Sequence, residues 1–452
     1  MIMYLALLLA TCVSAFSQDL GPKASHAPAG KPGTLGHSLP YASAPPAVRS
    51  YGSLAIQDVN VIEVQSHGVR PHMTVVIEGG HIAAMGPAGS TFTPKDAQVV
   101  NGQNQFLIPG LWDMDVHLWY KENQLPVFVA FGVTGVQETG SDFDRVSGWR
   151  KAIDRGEAIG PQIVTSGPAV AGRESEGGRL PVLLARTATE ARRAFDRLYE
   201  LDTDFIEVQQ ELSRDAYFAL AEMARHWNMR LVGPIPSSIS SAEAIEARQG
   251  NVEDLVGVAR AVTSELEAIQ LFERCAAYGV RLSPALTLWQ RMAHMDDQKR
   301  KSDPSLKYVP AAIRNAWPGD AVGESAISTA QLQGAYHLVE LMKRTKVQVL
   351  AGTHTGDPYT VPGSTLHDEL EQLVAAGMTP GDALESATIA PARFFEWDRS
   401  LGTVERGKVA DLVLLEANPL DNIRNTRKIS GVFTRGRYYS RKNLDAILAA
   451  VQ

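Results

Sequence analysis

Short runs of β-branched residues broken by Gly, Asn and Asp open the patterned part of the chain: SLAIQDVNVIEV at 53–64, MTVVIEGGHIAAMG at 73–86 and AQVVNGQNQFLIPG at 97–110. Runs of this kind separated by turn residues predict a small antiparallel sheet. From Leu111 the rhythm changes. The apolar runs LWDMDVHLW, GVTGVQETG, PQIVTSG, TDFIEVQQ, RLVGPIP, NVEDLVGV, VRLSPALTL and VQVLAGTHTG alternate with segments of helical period. Several helices carry start signals, Thr187 to Glu190 in TATE and Thr379 to Asp382 in TPGD, with a side-chain acceptor followed three residues later by an acid. Eight buried strands alternating with helices predict an α/β fold, a (β/α)8 TIM-like barrel over 111–395.

The stretch between the seventh and eighth runs is longer than one helix needs. DDQKRKSDPSLKYVPAAIRNAWPGD inside it reads as a long loop over the barrel mouth. Beyond the barrel, LGTVERGKVADLVLLEANPL and KISGVFTRGRYYS return to strand character, so residues 50–110 and 396–440 predict a β-sandwich domain built from both chain ends, with a helix over 441–452.

The chain is long enough for this plan: 452 residues, 44% of them hydrophobic. A formal charge of −7 supplies no basic face, which excludes nucleic acid and favours a small-molecule substrate or ligand. Residues 1–17, MIMYLALLLATCVSAFS, form an apolar run ending in small residues, as in a secretory signal, and the run is too short to span a bilayer. An exported protein, periplasmic or extracellular, is the expectation. LATC ending at Cys12 offers a weaker lipid-anchoring alternative. Residues 18–49, rich in Pro, Gly, Ala and Ser, read as a linker. With the signal removed Cys275, in a helical pattern, is the one cysteine left, so packing rather than a disulfide holds the fold. Nothing in the sequence fixes an oligomeric state.

In such a barrel the chemistry lies at the C-terminal ends of the strands. Asp115 and His117 end the first strand on one face, Glu207 the fourth, Asp254 the sixth and His354 the eighth. Three carboxylates in a confined site repel, so a proton or a cation must compensate them. One divalent ion, Zn, Mn or Fe, suits mixed carboxylate and imidazole ligands. The alternative is a metal-free network in which protonated His117 and His354 pair with the acids.

LIPGLWDMDVHLW, GVTGVQETG, TDFIEVQQELSRDAYFAL, the segment 363–395 and the tail LGTVERGKVADLVLLEANPLDNI resemble the amidohydrolase superfamily, in its imidazolonepropionase-like and prolidase-like branch, across about residues 50–440. That resemblance implies a metal-dependent hydrolase in which water attacks an amide or ester carbonyl and a strand-8 Asp shuttles the proton. It also implies departures. The family's strand-1 His pair is Asp115 and His117, its strand-4 lysine is Glu207, its strand-5 and strand-6 histidines are Pro234 and Asp254, and its strand-8 Asp is His354. Asp115, His117 and His354, with Glu207 marginal, can hold one metal; a second position keeps too few donors. His354 is then the candidate base and Asp115 its alternate.

Two functions stand: a hydrolase of a carbon–nitrogen bond in an amide or dipeptide-like substrate, or an inactive relative that binds a small ligand or is structural. His367 reads as structural, and Glu138 as an acid beside the site rather than a ligand. No G-x-S-x-G nucleophile elbow occurs.

Overall fold

The computed structural model describes residues 52–118, 125–174, 181–294, 301–315, 317 and 327–451. The signal, the linker and Cys12 lie outside them. No helix among the described residues is long and apolar enough to cross a membrane.

Strands β1 (Leu54–Glu63), β2 (Gly68–Glu78), β3 (His81–Pro87), β4 (Gln98–Asn101) and β5 (Phe106–Pro109) come first. They join β15 (Leu412–Leu415), β16 (Ile429–Thr434) and β17 (Arg437–Ser440) in one eight-stranded sheet drawn from both chain ends. Here the expectation of an antiparallel sheet needs correction. The sheet is mixed, because β4 and β5 run parallel to the two halves of β1, which a register break around Asp58 separates. All eight strands belong to one hydrogen-bonded sheet. Backbone bonds from Ile82 to Lys408 and from Ala410 to Gly80 curl its far edge back, and the inner face encloses a core of its own around Ile56, Val75, Leu107, Leu412 and Phe433.

The remaining strands are parallel. β6 (Leu111–Val116) pairs β7 (Val133–Glu138), which pairs β8 (Gln162–Thr165). β9 (Ala169–Ala171) and β10 (Val182–Leu184) form a side ribbon. β11 (Ile206–Glu207), β12 (Leu231–Gly233), β13 (Asn251–Glu253) and β14 (Arg281–Ser283) follow in order. Asp204 N–H donates to the Thr165 carbonyl and so links β8 to the β11 segment; Leu350 N–H donates to Leu282, and Met114 N–H donates to Ala351. Residues 347–355 thus stand between β14 and β6. All six residues of β6 and all six of β7 are buried, as expected of parallel strands covered on both faces.

Helices between the strands pack this sheet into the main core. Thr379 and Asp382 form a reciprocal capping box. Thr187 caps its helix, but Glu190 reaches Arg186 N–H instead, so only half of the expected box exists. In the insertion before residue 347, Leu306 and Val309 bury against Val361.

His367 is a tether in this core. Its Nε2 and Nδ1 lie 2.9 Å from the Phe131 carbonyl and from the Thr426 hydroxyl, so a neutral ring donates to one and accepts from the other. Burial, with Arg427 nearby, pulls its pKa down to about 3. An unfolded chain takes up this proton below about 6.5, whereas the native state refuses it until about 3, so stability is lost as pH falls through that window. Chemical denaturation at pH 7.5 and pH 5 should show His367→Gln losing less stability than the wild type, by about 2 kcal/mol. Equal losses in both proteins would contradict the burial of a neutral ring.

Candidate functional site

Residues 347–355 dock on β6 through backbone hydrogen bonds, Met114 N–H to Ala351 at 2.8 Å and His117 N–H to Thr355 at 2.7 Å. Glycine permits the close approach. A Cβ on Gly352 would stand 2.8 Å from the Asp115 Cβ, and one on Gly356, whose φ is +126°, would stand 2.8 Å from the His117 Cβ. Strand alternation turns Asp115 and His117 to one side, and the docked segment brings His354 across to meet them. One ligating atom from each of Asp115, His117 and His354 lies within 4.8 Å of the other two.

The polar contacts fix these side chains. His117 Nδ1 donates to the Thr139 carbonyl at 2.5 Å, which leaves Nε2 as the deprotonated nitrogen. The Thr139 hydroxyl donates to Asp115 Oδ1 at 3.2 Å. Desolvation holds the His117 pKa below its ordinary value in spite of Asp115, so this ring is neutral. His354 behaves differently. Burial pulls its pKa down, but the Asp115 carboxylate more than compensates and raises it to about 10. Burial would raise Asp115, and His354 overrides that and lowers it. Asp115 Oδ2 and His354 Nε2 are 3.0 Å apart and pair as buried ions, with no other partner for either atom.

These two buried atoms have no partner but one another, so the site has room for a further group that engages both. A small cation does so. One carboxylate oxygen and two imidazole nitrogens form a donor set that fits zinc or a similar divalent ion, and the backbone-anchored His117 ring is already in the ligating tautomer.

Glu207 and Asp254 stand outside that group of three. Glu207 ends β11, accepts from Gln209 Nε2 at 3.3 Å, and keeps Oε2 without a hydrogen-bond partner. Burial, then Asp115, pushes its pKa well above the carboxylate range. Asp254 adopts a left-handed backbone, φ +53°, and accepts from Val256 N–H at 2.7 Å and from Gln210 at 3.5 Å. Burial lifts its pKa to about 6. Glu138 is also buried, accepts from the Thr165 hydroxyl, and is pushed up to about 7 by desolvation.

Sequence reasoning overlooked two acids. Glu253 shares a hydrogen bond with Glu207 and accepts from Gln137 Nε2 at 3.0 Å; burial and the Glu207 charge push it well up, so this floor carries protons rather than full charge. Its signal was an acid inside the apolar run NVEDLVGV, one residue before the position that the family motif singles out. Asp357 pairs with Arg291 at 2.8 Å, and this cation overcomes burial to bring the Asp357 pKa down to about 2. It acts electrostatically on both His117 and His354, and lies three residues beyond His354 on the same glycine-flanked turn.

Residues 323–438 match the Amidohydrolase family. Among curated proteins, none matches the chain. Solved structures with the same fold include a candidate prolidase from Bifidobacterium longum, at 22% identity and a TM-score of 0.69 over 90% of this chain and 100% of that one. A Xaa-Pro dipeptidase with bound methionine in its active site superposes at 19% identity and 0.67, over 86% of this chain and 100% of its own. Molinate hydrolase does so at 18% and 0.69, over 88% and 96%. The match to the Amidohydrolase family thus lies in residues 323–438, and the chain shares the α/β fold of these solved structures.

Proposed function

We propose that this protein is a hydrolase of a carbon–nitrogen bond in an amide or dipeptide-like small molecule, working at a single-metal site on a (β/α)8 barrel. The observation that carries the reading is the meeting of Asp115, His117 and His354, with Asp115 Oδ2 and His354 Nε2 buried and partnered only by one another. Those three residues would hold the ion, which supplies Lewis-acid polarisation of a carbonyl and of water when bound.

The chain's own groups do the rest. Thr139 orients His117 through its carbonyl and Asp115 through its hydroxyl. His354 could take the proton of an attacking water only where neither Asp115 nor an ion holds its Nε2, since pairing with Asp115 keeps it protonated to about pH 10; otherwise that duty would pass to Asp115. Arg291 and Asp357 form a largely buried charge pair, and Asp357, three residues beyond His354, acts electrostatically on both rings. Glu207 and Glu253 lie outside the group of three, and burial pushes the pKa of each well above the carboxylate range.

An inactive, ligand-binding protein is the second reading. It is favoured by the Asp115–His354 ion pair, which already balances charge without a metal. Elemental analysis separates the two. The purified protein should contain about one Zn, Mn or Fe per chain, lost in Asp115→Ala, and should hydrolyse members of a dipeptide and acyl-amino-acid panel in a chelator-sensitive way, with Asp115→Ala or His354→Ala slower by roughly 10²–10⁴-fold. Ligand binding without turnover and without metal would establish the second reading.

Because His354 holds a proton to about pH 10 when paired with Asp115, a metal must displace that proton. Apparent zinc affinity should therefore rise about tenfold per pH unit through the neutral range, with close to one proton released per ion in calorimetry across buffers of different ionisation enthalpy. Proton-independent binding would show that His354 is not a ligand.

A further inference from the structure

His354 is not presented by ordinary strand geometry. Its backbone is left-handed, φ +53°, a conformation that a non-glycine residue adopts at a cost and keeps only where its surroundings insist. The insistence comes from Thr353. Its hydroxyl oxygen accepts from Thr355 N–H at 3.0 Å, closing a tight turn with His354 at its centre. The same hydroxyl lies 2.6 Å from the Thr355 hydroxyl and donates to Asp113 Oδ2 at 2.7 Å. One donor and two acceptor sites are a hydroxyl's whole capacity, and all three are used. Asp113, Thr353 and Thr355 have no exposed surface, so water cannot substitute for any of these bonds.

Asp113 ties the turn back to the strand that bears Asp115. Its Oδ1 accepts from Asp115 N–H at 3.4 Å while Oδ2 holds Thr353. One carboxyl therefore sets the relative placement of Asp115 and His354, which lie on adjacent segments more than two hundred residues apart in sequence.

We propose that Asp113 and Thr353 are positioning residues whose hydrogen bonds lock the left-handed turn at His354 and so aim its imidazole at Asp115. The proposal rests on the single-metal reading above. It differs from a packing role in depending on the Thr353 hydroxyl, which serine retains and valine lacks at nearly the same volume.

The test uses the full chain, freed of metal and titrated with Co²⁺, with the visible absorption of the bound ion as reporter of affinity and ligand geometry and far-UV circular dichroism as the check on folding. Thr353→Val should bind Co²⁺ at least about tenfold more weakly with an altered spectrum, while Thr353→Ser stays within about threefold of wild type. Should the valine variant not fold, Thr353→Ala removes the hydroxyl without adding bulk and carries the same expectation. A folded valine or alanine variant with wild-type affinity and spectrum would overturn the positioning role and leave the single-metal reading standing. A wild-type protein that takes up no Co²⁺ would overturn both.

Discussion

The seating of residues 347–355 against β6 is the constraint on which the site depends. Backbone hydrogen bonds from Met114 and His117 define the register, and Gly352 and Gly356 permit an approach that any side chain would block. A one-residue slip along this seam would exchange the inward and outward faces of the segment, taking His354 away from Asp115. The composite sheet, the helices and the capping interactions hold the two segments in place; the seam itself decides which atoms meet.

Charge is handled in three ways within a small volume. Asp115 is compensated by His354, Asp357 by Arg291, and Glu207 and Glu253 by retained protons. Each solves the cost of burying a carboxylate, and each has a different consequence. The Arg291 pair is permanent, since a guanidinium does not lose its proton at accessible pH. The protonated pair is inert toward cations until it ionises. Of the three, the Asp115–His354 pair presents two buried atoms that a divalent ion can engage, with a neutral imidazole from His117 beside them.

Much of this was legible in the sequence. The period-two alternation in DMDVHLW put Asp115 and His117 on one face, and the glycine-flanked AGTHTG put His354 at the end of the last parallel segment; the three converge. Glu207 and Asp254 also sit near the strand ends named for them, but outside the group of three. What separates them is local backbone and hydrogen bonding, the left-handed turn at Asp254 and the shared proton of Glu207 with Glu253, and neither has a signature in residue order. The mixed character of the small sheet escaped for a similar reason. Pairing direction depends on how the 88–97 connection crosses, whereas strand propensity reports only that strands exist.

The central claim, that Asp115, His117 and His354 together form a binding site for one divalent ion, is tested most directly by anomalous diffraction at the zinc edge from crystals of the zinc-exposed protein. One strong peak is expected within about 2.0–2.2 Å of Asp115 Oδ2 and of an imidazole nitrogen on each of the two histidines. An absent peak, with Asp115 and His354 still paired directly, would contradict it.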